Sequence, residues 1–116
     1  MEFTGNMVAL ATPFRNGSLD RDAFATLIER VIAGGASAVI PCGTTGESPT
    51  LSHDEHDEVV RLAVETVGGR IAVIAGAGSN STAEAARLTR AAAEAGADAV
   101  LSVNPYYNKP TQAGMI

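Results

Sequence analysis

Four short apolar runs recur along the chain, separated by about 30 residues, which is the length of one strand-plus-helix unit. They lie at Met7–Ala11, Ala38–Cys42, Ile71–Ala75 and Ala99–Val103. Each run is continuously apolar, with no polar residue at every second position. This pattern predicts four strands that are buried on both faces, as in a parallel sheet.

Three segments between these runs have apolar residues at helical spacing. The first covers Arg21–Ala33, the second begins after Ser52, and the third covers Thr82–Ala95. Asp20, Ser52 and Ser81 stand where a capping residue is expected, and glycines follow each segment. The sequence therefore predicts three amphipathic helices that alternate with the strands.

Alternating strands and helices with short helix-to-strand joints predict either a parallel barrel or a doubly wound sheet. The 116 residues are about half the length of a typical (β/α)8 barrel, and Thr111 would begin a fourth helix. We therefore interpret residues 1–116 as one α/β domain, the truncated N-terminal half of a TIM (β/α)8 barrel, with its first four strands and three helices. A complete small flavodoxin-like domain is the structural alternative.

Composition narrows the class of partner. A net charge of −5 argues against nucleic acid, because phosphates attract a basic surface. No apolar run approaches the roughly 20 residues that span a bilayer, and the first six residues lack the pattern of a signal peptide. Cys42 is the one cysteine, which excludes an internal disulfide. We expect a cytoplasmic protein with neither a nucleic-acid nor a membrane partner.

The loops after the strands carry the candidate chemistry, because parallel α/β folds bind ligands at the carboxyl ends of their strands. Gly43-Thr-Thr-Gly-Glu-Ser48 follows the second strand, and its hydroxyls and amides could bind a carboxylate or relay a proton. An ordinary turn with hydroxyl caps fits these residues equally well. Asn104-Pro-Tyr-Tyr-Asn-Lys-Pro110 follows the fourth strand, where one tyrosine could transfer a proton while the other packs.

Three further features suggest chemistry, but their surroundings favour plainer roles. Gly76-Ala-Gly78-Ser-Asn80 lacks the third glycine of a dinucleotide-binding fingerprint, which favours a tight turn. His53 and His56 are predicted to share a helix face without a third metal ligand, which favours a solvated helix start and no bound metal. Lys109, the only lysine, lies in a polar loop that is unsuited to a Schiff-base lysine.

Together the motifs resemble those of one family, the dihydrodipicolinate synthases of the class I pyruvate-dependent aldolases, over essentially all 116 residues. Sialic-acid lyases and keto-sugar-acid aldolases share the Gly-Ser/Thr-Thr-Gly-Glu loop, whereas the two histidines and the paired tyrosines are more specific. The matching motifs, in the family's order and spacing, are Val8-Ala-Leu-Ala-Thr-Pro13, Gly43-Thr-Thr-Gly-Glu-Ser48, Leu51-Ser-His-Asp-Glu-His56, Ile74-Ala-Gly-Ala-Gly78 and Pro105-Tyr-Tyr-Asn-Lys-Pro110.

The resemblance implies a lyase of lysine and diaminopimelate biosynthesis that needs no cofactor. In this family pyruvate forms a Schiff base with a barrel lysine, and the resulting enamine attacks L-aspartate 4-semialdehyde. Thr45 would bind the pyruvate carboxylate, Thr44 would belong to a hydroxyl relay, and Tyr107 would join that relay across a tight-dimer interface. The family's lysine lies beyond residue 116, so we expect the present chain to be inactive alone.

The resemblance also implies allosteric feedback inhibition by L-lysine in a homotetramer built as a dimer of dimers. Glu84 offers a carboxylate for an ammonium group, while Asn80 and Tyr106 offer hydrogen bonds. Pro49 departs from the alanine found in many relatives. The positions that match the family's lysine pocket at the tight-dimer interface are Ser48, Pro49, His53, His56, Asn80, Glu84 and Tyr106.

Two other functions remain open. The same barrel could act on a sialic acid or a keto-sugar acid, a choice that residues beyond 116 would decide. Alternatively, the chain could be a non-catalytic, truncated form that binds lysine or pairs with a full-length subunit, which the lack of any strand-borne lysine favours.

Overall fold

The computed structural model describes residues 4–103 and 111–113. The three predicted helices and the four predicted strands are all present, and a short antiparallel pair of strands is added to them. The elements are β1 (Met7–Ala9), β2 (Phe14–Arg15), β3 (Ser18–Leu19), α1 (Arg21–Ala33), β4 (Ala38–Ile40), α2 (His53–Val67), β5 (Ala72–Gly76), α3 (Thr82–Ala95) and β6 (Ala99–Leu101). The fourth predicted helix falls largely outside the described residues.

The main sheet is parallel, and its strands lie side by side in chain order, β1-β4-β5-β6. A doubly wound sheet would reverse its strand order at a switch point and carry helices on both faces. Here α1 packs on α2 and α2 packs on α3, along one face. Strand order and helix placement are those of a partial α/β barrel and exclude the flavodoxin-like alternative.

The two faces of the sheet bury different side chains. Val39 and Val73 point to the helix side, where they join a core that includes Phe24, Ile28 and Val60. A second, smaller apolar cluster contains no helical residue, which places it on the opposite face, the inner side of a barrel. Its members are Ala38, Ala72 and Ile74, with Ile40 and Ala99 packed against them.

The capping residues predicted from the sequence are confirmed. The Asp20 carboxylate accepts a hydrogen bond from the Ala23 amide at 3.0 Å, and Ser52 and Glu55 form a reciprocal capping box at the start of α2. The helices contain 13, 15 and 14 residues, and none in the described part of the chain is both long and apolar enough to cross a bilayer.

The predicted burial of all four strands on both faces holds only for the centre of the sheet. Every residue of β5 is buried, whereas β1 and β6 occupy the two edges and are partly exposed. Met7, Val100 and Leu101 therefore retain 41%, 38% and 46% of their accessible surface. Continuous apolarity is the pattern of a strand flanked on all sides, and in this chain only the central strands are so flanked.

The hairpin of β2 and β3 was not predicted. It turns at Asn16-Gly17, both of which have positive φ (53° and 81°). Asn-Gly between two short extended segments is the strongest local hairpin signal, because both residues tolerate the left-handed conformation that a tight hairpin turn requires. The strands are only two residues long, too short for an apolar alternation to mark them.

Candidate functional site

A cavity of about 500 Å³ opens beyond the carboxyl ends of β4, β5 and β6. This end of a parallel barrel is where ligands bind. The cavity lies between the Gly43–Ser48 loop, the loop that follows β5, and the residues after β6. The residues that line it are Cys42, Gly43, Thr44, Ser48, Pro49, Gly76, Gly78, Ser79, Asn80, Glu84, Leu101 and Val103.

The loop that carries Thr44 is held by backbone hydrogen bonds and by one buried side chain. The amides of Gly46 and Glu47 donate to the carbonyls of Gly43 and Thr44, both at 3.0 Å, which closes a 3₁₀ turn over Thr44–Gly46. The hydroxyl of Thr12, which follows β1, donates to the carbonyl of Gly46 at 2.7 Å and is buried. The turn is therefore tied to two strand ends at once.

Backbone strain brackets this turn. Cys42 and Glu47, which flank it, have φ of 60° and 59°, a left-handed conformation that residues with a Cβ adopt at a cost of about 1–3 kcal/mol. Such residues collect where the surrounding structure fixes a functional segment. The strain supports a role for the turn beyond that of a simple connection.

The loop after β5 approaches the Gly43–Ser48 loop closely. A Cβ built on Gly76 would lie 2.1 Å from the Cys42 carbonyl oxygen, and one on Gly78 would lie 2.5 Å from the Val103 amide nitrogen. The Gly76-Ala-Gly78 segment was predicted to be a tight turn. It also forms part of the cavity wall, because glycines let three strand ends meet backbone to backbone.

Glu84 does not form a capping box with Ser81, although the two residues have the spacing of one. Ser81 caps the Glu84 amide at 3.4 Å, but its own amide donates to the Ser79 hydroxyl instead of the Glu84 carboxylate. That carboxylate accepts from the Ser79 hydroxyl at 3.1 Å and lies 3.6 Å from the Nε2 atom of His53. The carboxylate thus faces the cavity and not the helix start.

The histidine pair is divided. His53 is exposed beside Glu84, whereas His56 is only 3% exposed and its Nε2 atom lies 2.8 Å from the Gly76 carbonyl oxygen. The favoured interpretation of a solvated helix start was therefore wrong for His56. Residues three apart point about 60° apart around a helix of 3.6 residues per turn, so one can face the rim of the helix and the other the core.

The structure brings together some of the predicted site residues and separates others. Thr44, Ser48, Pro49, Asn80 and Glu84 line one cavity. Thr45 is exposed, and neither it nor the two histidines line that cavity. Tyr106, Tyr107 and Lys109 lie outside the described residues.

The described lining of the cavity carries negative charge only. Among the lining residues that the structure describes, Glu84 is the only one with a charged side chain, and Leu101 and Val103 supply an apolar wall. Burial raises the pKa of the Cys42 thiol to about 12, so this cysteine stays protonated and is a poor nucleophile. Over residues 4–103 and 111–113, no group of three or more metal-binding side chains is assembled. A ligand with a cation and an aliphatic part fits this lining.

Sequence comparison identifies the family. The Dihydrodipicolinate synthetase family matches residues 2–116. The chain belongs to this family. A 4-hydroxy-tetrahydrodipicolinate synthase of Nitratidesulfovibrio vulgaris is 61% identical over 115 residues, which are 99% of this chain and 39% of that protein. The chain thus spans about 39% of the length of this curated relative.

Solved structures of the family superpose closely on the chain. The 4-hydroxy-tetrahydrodipicolinate synthase of Methylacidiphilum fumariolicum has a TM-score of 0.96 at 51% identity, over 98% of this chain and 38% of that one. A dihydrodipicolinate synthase of Acinetobacter baumannii, solved in complex with pyruvate, has a TM-score of 0.92 at 46% identity, over 96% and 38% of the two chains. These matches establish the fold of the chain as part of the TIM barrel of the dihydrodipicolinate synthases.

Three wall-forming residues of the chain were not singled out from the sequence. Ser79 is buried and holds both the Glu84 carboxylate and the Ser81 amide. Leu101 and Val103, at the end of β6 and just beyond it, form the apolar wall. Ser79 precedes a helix start, where a second hydroxyl beside the cap is a usable signal. The two apolar residues were counted as strand core, from which nothing in the pattern separates them.

The buried His56 makes the stability of the protein sensitive to pH. Burial lowers its pKa below the usual 6.5, an effect that Arg87 and His53 reinforce and that Asp57 and the bond to Gly76 oppose. The unfolded chain therefore binds a proton more readily, so the stabilisation is complete above about pH 6.5 and declines as the pH falls below it. We expect the urea concentration at the midpoint of unfolding to decrease when the pH is lowered from about 7.5 to about 5.5. The decrease should be smaller in the His56→Gln variant. Equal slopes in the two proteins would contradict this assignment.

Proposed function

We propose that this chain forms part of a lyase that condenses pyruvate with L-aspartate 4-semialdehyde, in the lysine and diaminopimelate pathway of the cytoplasm. Pyruvate would be held as a Schiff base on a lysine, and the derived enamine would attack the aldehyde carbon. The family match and the name of the Nitratidesulfovibrio vulgaris relative, a 4-hydroxy-tetrahydrodipicolinate synthase, support this proposal. The pyruvate complex of the Acinetobacter baumannii relative supports the first substrate.

The observation that carries the proposal is the position of Thr44. Thr44 lines the cavity at the carboxyl ends of the strands. It lies on a turn that Thr12 fixes and that the strained residues Cys42 and Glu47 flank. We assign the Thr44 hydroxyl to proton relay, Thr45 to the pyruvate carboxylate, and Tyr107 to the same relay across a tight-dimer interface. A relay hydroxyl must be held within hydrogen-bond reach of the reacting group, and a fixed turn serves that need.

We propose in addition that L-lysine is an allosteric inhibitor of the enzyme and binds in this cavity, at a tight-dimer interface. The Glu84 carboxylate would bind an ammonium group, Asn80 and Ser48 would offer hydrogen bonds, and Leu101 and Val103 would contact the aliphatic chain. Pro49 lines the same cavity. His53, close to Glu84, would adjoin the ligand, and Tyr106 is a further proposed contact. His56, which does not line the cavity, would support its wall from behind through Gly76. The homotetrameric dimer-of-dimers assembly is proposed on the same family basis.

A second candidate is a chain that binds lysine without catalysing the condensation. The observation that favours it is that the described residues that line the cavity all lie within 42–103, while Lys109 is the only lysine in the sequence. Ligand binding and catalysis would then reside in different parts of a longer protein or in different chains. The two candidates are separated by measuring the activity of the chain alone and of a complete barrel in which the chain replaces the corresponding segment.

The test uses a carrier enzyme, defined as the Nitratidesulfovibrio vulgaris relative in which this chain replaces the segment aligned with it. We expect the carrier enzyme, like the unmodified relative assayed beside it, to condense the two substrates and to trap pyruvate on a lysine upon borohydride reduction. We expect the 116-residue chain alone to do neither, because Lys109 is its only lysine and stands between Asn108 and Pro110, a polar sequence context that does not favour a Schiff-base lysine. Mass spectrometry locates the adduct.

Two outcomes would count against the proposal. A reduced pyruvyl adduct on Lys109 of the chain alone would show that the chain supplies its own Schiff-base lysine. A folded carrier enzyme without condensation activity, beside an active relative, would show that this segment does not serve the reaction.

A further inference from the structure

His56 bonds to two other segments from one buried position in the first turn of α2. Its ring atom Nε2 lies 2.8 Å from the carbonyl oxygen of Gly76, the last residue of β5. Because a carbonyl only accepts hydrogen bonds, Nε2 carries the proton and donates it. The backbone carbonyl of His56 in turn accepts from the Sγ atom of Cys42 at 3.7 Å. One residue of α2 thus holds the end of β5 and the start of the Gly43–Ser48 loop.

Gly76 transmits this restraint to that loop by direct backbone contact. Its amide donates to the Pro41 carbonyl at 2.8 Å, and a Cβ at this position would meet the Cys42 carbonyl oxygen and, at 2.9 Å, the Gly43 amide nitrogen. The Cys42–Gly43 peptide therefore packs on Gly76 with no side chain between them. The residue that follows this peptide is Thr44.

The other ring nitrogen of His56, Nδ1, indicates that the hydrogen bond from Nε2 to Gly76 is the reason for a histidine at this position. Nδ1 is buried and has no hydrogen-bond partner among the described residues. A buried polar atom without a partner destabilises a protein by about 1–3 kcal/mol, which an apolar ring of similar size would avoid. Packing alone therefore does not account for a histidine at this position, whereas a donor aimed at Gly76 does.

We propose that His56 is a positioning residue for the Thr44 hydroxyl, which it fixes through Gly76 and the Cys42–Gly43 peptide. This inference rests on the relay role proposed for Thr44. His56 itself does not line the cavity and so acts on the reaction only through the backbone. Small misplacements of a reacting group reduce turnover more than they reduce binding, with about 10²-fold lost for about 1 Å.

The test compares two substitutions of His56 in the carrier enzyme. His56→Phe keeps a buried ring but has no donor, whereas the amide of His56→Gln restores a donor. We expect the phenylalanine variant to lose about 10- to 100-fold in kcat, with KM for pyruvate changed less than about 3-fold. We expect the glutamine variant to recover most of that kcat. A merely structural role would not distinguish donors from non-donors in a folded enzyme.

A double-mutant cycle with Thr44→Val then identifies the route. If His56 acts through Thr44, His56→Phe should reduce kcat by less than about 3-fold further once the hydroxyl is gone, because coupled residues are not additive. Full multiplication of the two effects would overturn the inference, as would wild-type kcat in His56→Phe. Wild-type kcat in Thr44→Val alone would instead contradict the proposed relay.

Failure of the variant to fold is covered by a second substitution. His56→Leu also lacks a donor and is smaller, and circular dichroism with a thermal melt establishes whether each variant is folded. If neither apolar variant yields folded enzyme while His56→Gln does, His56 serves the fold as a whole and the inference is overturned.

Discussion

Replacing Thr44 with valine in the carrier enzyme is expected to lower kcat by about 10²–10⁴-fold, the range of a general acid–base contribution. The two side chains have the same shape, so the change removes one hydroxyl and little else. A relay acts mainly in the transition state, so kcat should fall far more than KM for pyruvate rises. Steady-state kinetics with both substrates varied measures the two effects separately.

Thr50→Val is the matched control. Thr50 belongs to a second 3₁₀ turn, Ser48–Thr50, which follows the turn that carries Thr44. It is exposed and does not line the cavity, and its hydroxyl donates a hydrogen bond to the Glu47 carbonyl at 2.9 Å. The control therefore loses a hydroxyl and a local hydrogen bond without touching the site, and we expect its kcat to stay within a few-fold of the unsubstituted enzyme. A Thr44→Val enzyme with an equally small loss would reject the relay assignment.

The helices and the order of the elements could be predicted because each depends on local sequence. For α2, all the signals act within one segment. They are the Ser52–Glu55 capping box, the spacing of the apolar residues, and Gly68, at which the helix ends. The choice between a barrel and a doubly wound sheet could not be made from those signals. It depends on which strands are neighbours, and strand order appears only in the structure.

The environment of individual side chains was harder to predict than the elements. His53 and His56 are three residues apart with the same chemistry, yet one is exposed and the other is buried against Gly76. Their difference is set by β5, which lies 20 residues further along the chain from His56. The same holds for Glu84, whose local spacing predicts a capping box while the buried Ser79 hydroxyl binds its carboxylate instead.

Several of the candidate site residues meet in one cavity, and the reason lies in the topology. Thr44 follows β4, whereas Asn80 and Glu84 follow β5, in the loop and in the first turn of α3. The segments that follow the strands meet at one end of a parallel barrel. Once the barrel is assumed, their meeting follows, and the cavity confirms that these three residues line one space. Thr45 belongs to the same loop as Thr44 but does not line the cavity, because neighbours in a tight turn point in different directions.

Replacing Glu84 with alanine in the carrier enzyme is expected to weaken inhibition by L-lysine strongly. A hydrogen bond between charged groups contributes about 1.5–3 kcal/mol, which corresponds to an increase of about 10- to 150-fold in the inhibition constant. Glu84 is the only charged residue in the cavity wall as far as the chain is described, so no second carboxylate there can replace it. Inhibition constants come from lysine titrations at fixed substrate concentrations.

Two further variants separate ligand binding from helix capping. Glu84→Gln keeps an oxygen that can accept from the Ser79 hydroxyl but lacks the charge, so it should lose inhibition much as Glu84→Ala does. Glu94→Ala removes an exposed carboxylate near the other end of α3 and should leave the inhibition constant unchanged. The cap itself depends on Ser81 and the Glu84 amide, which both Glu84 variants retain. If Glu84→Ala melts at a lower temperature but keeps the inhibition constant of the unsubstituted carrier enzyme, Glu84 stabilises the start of α3 and does not bind lysine.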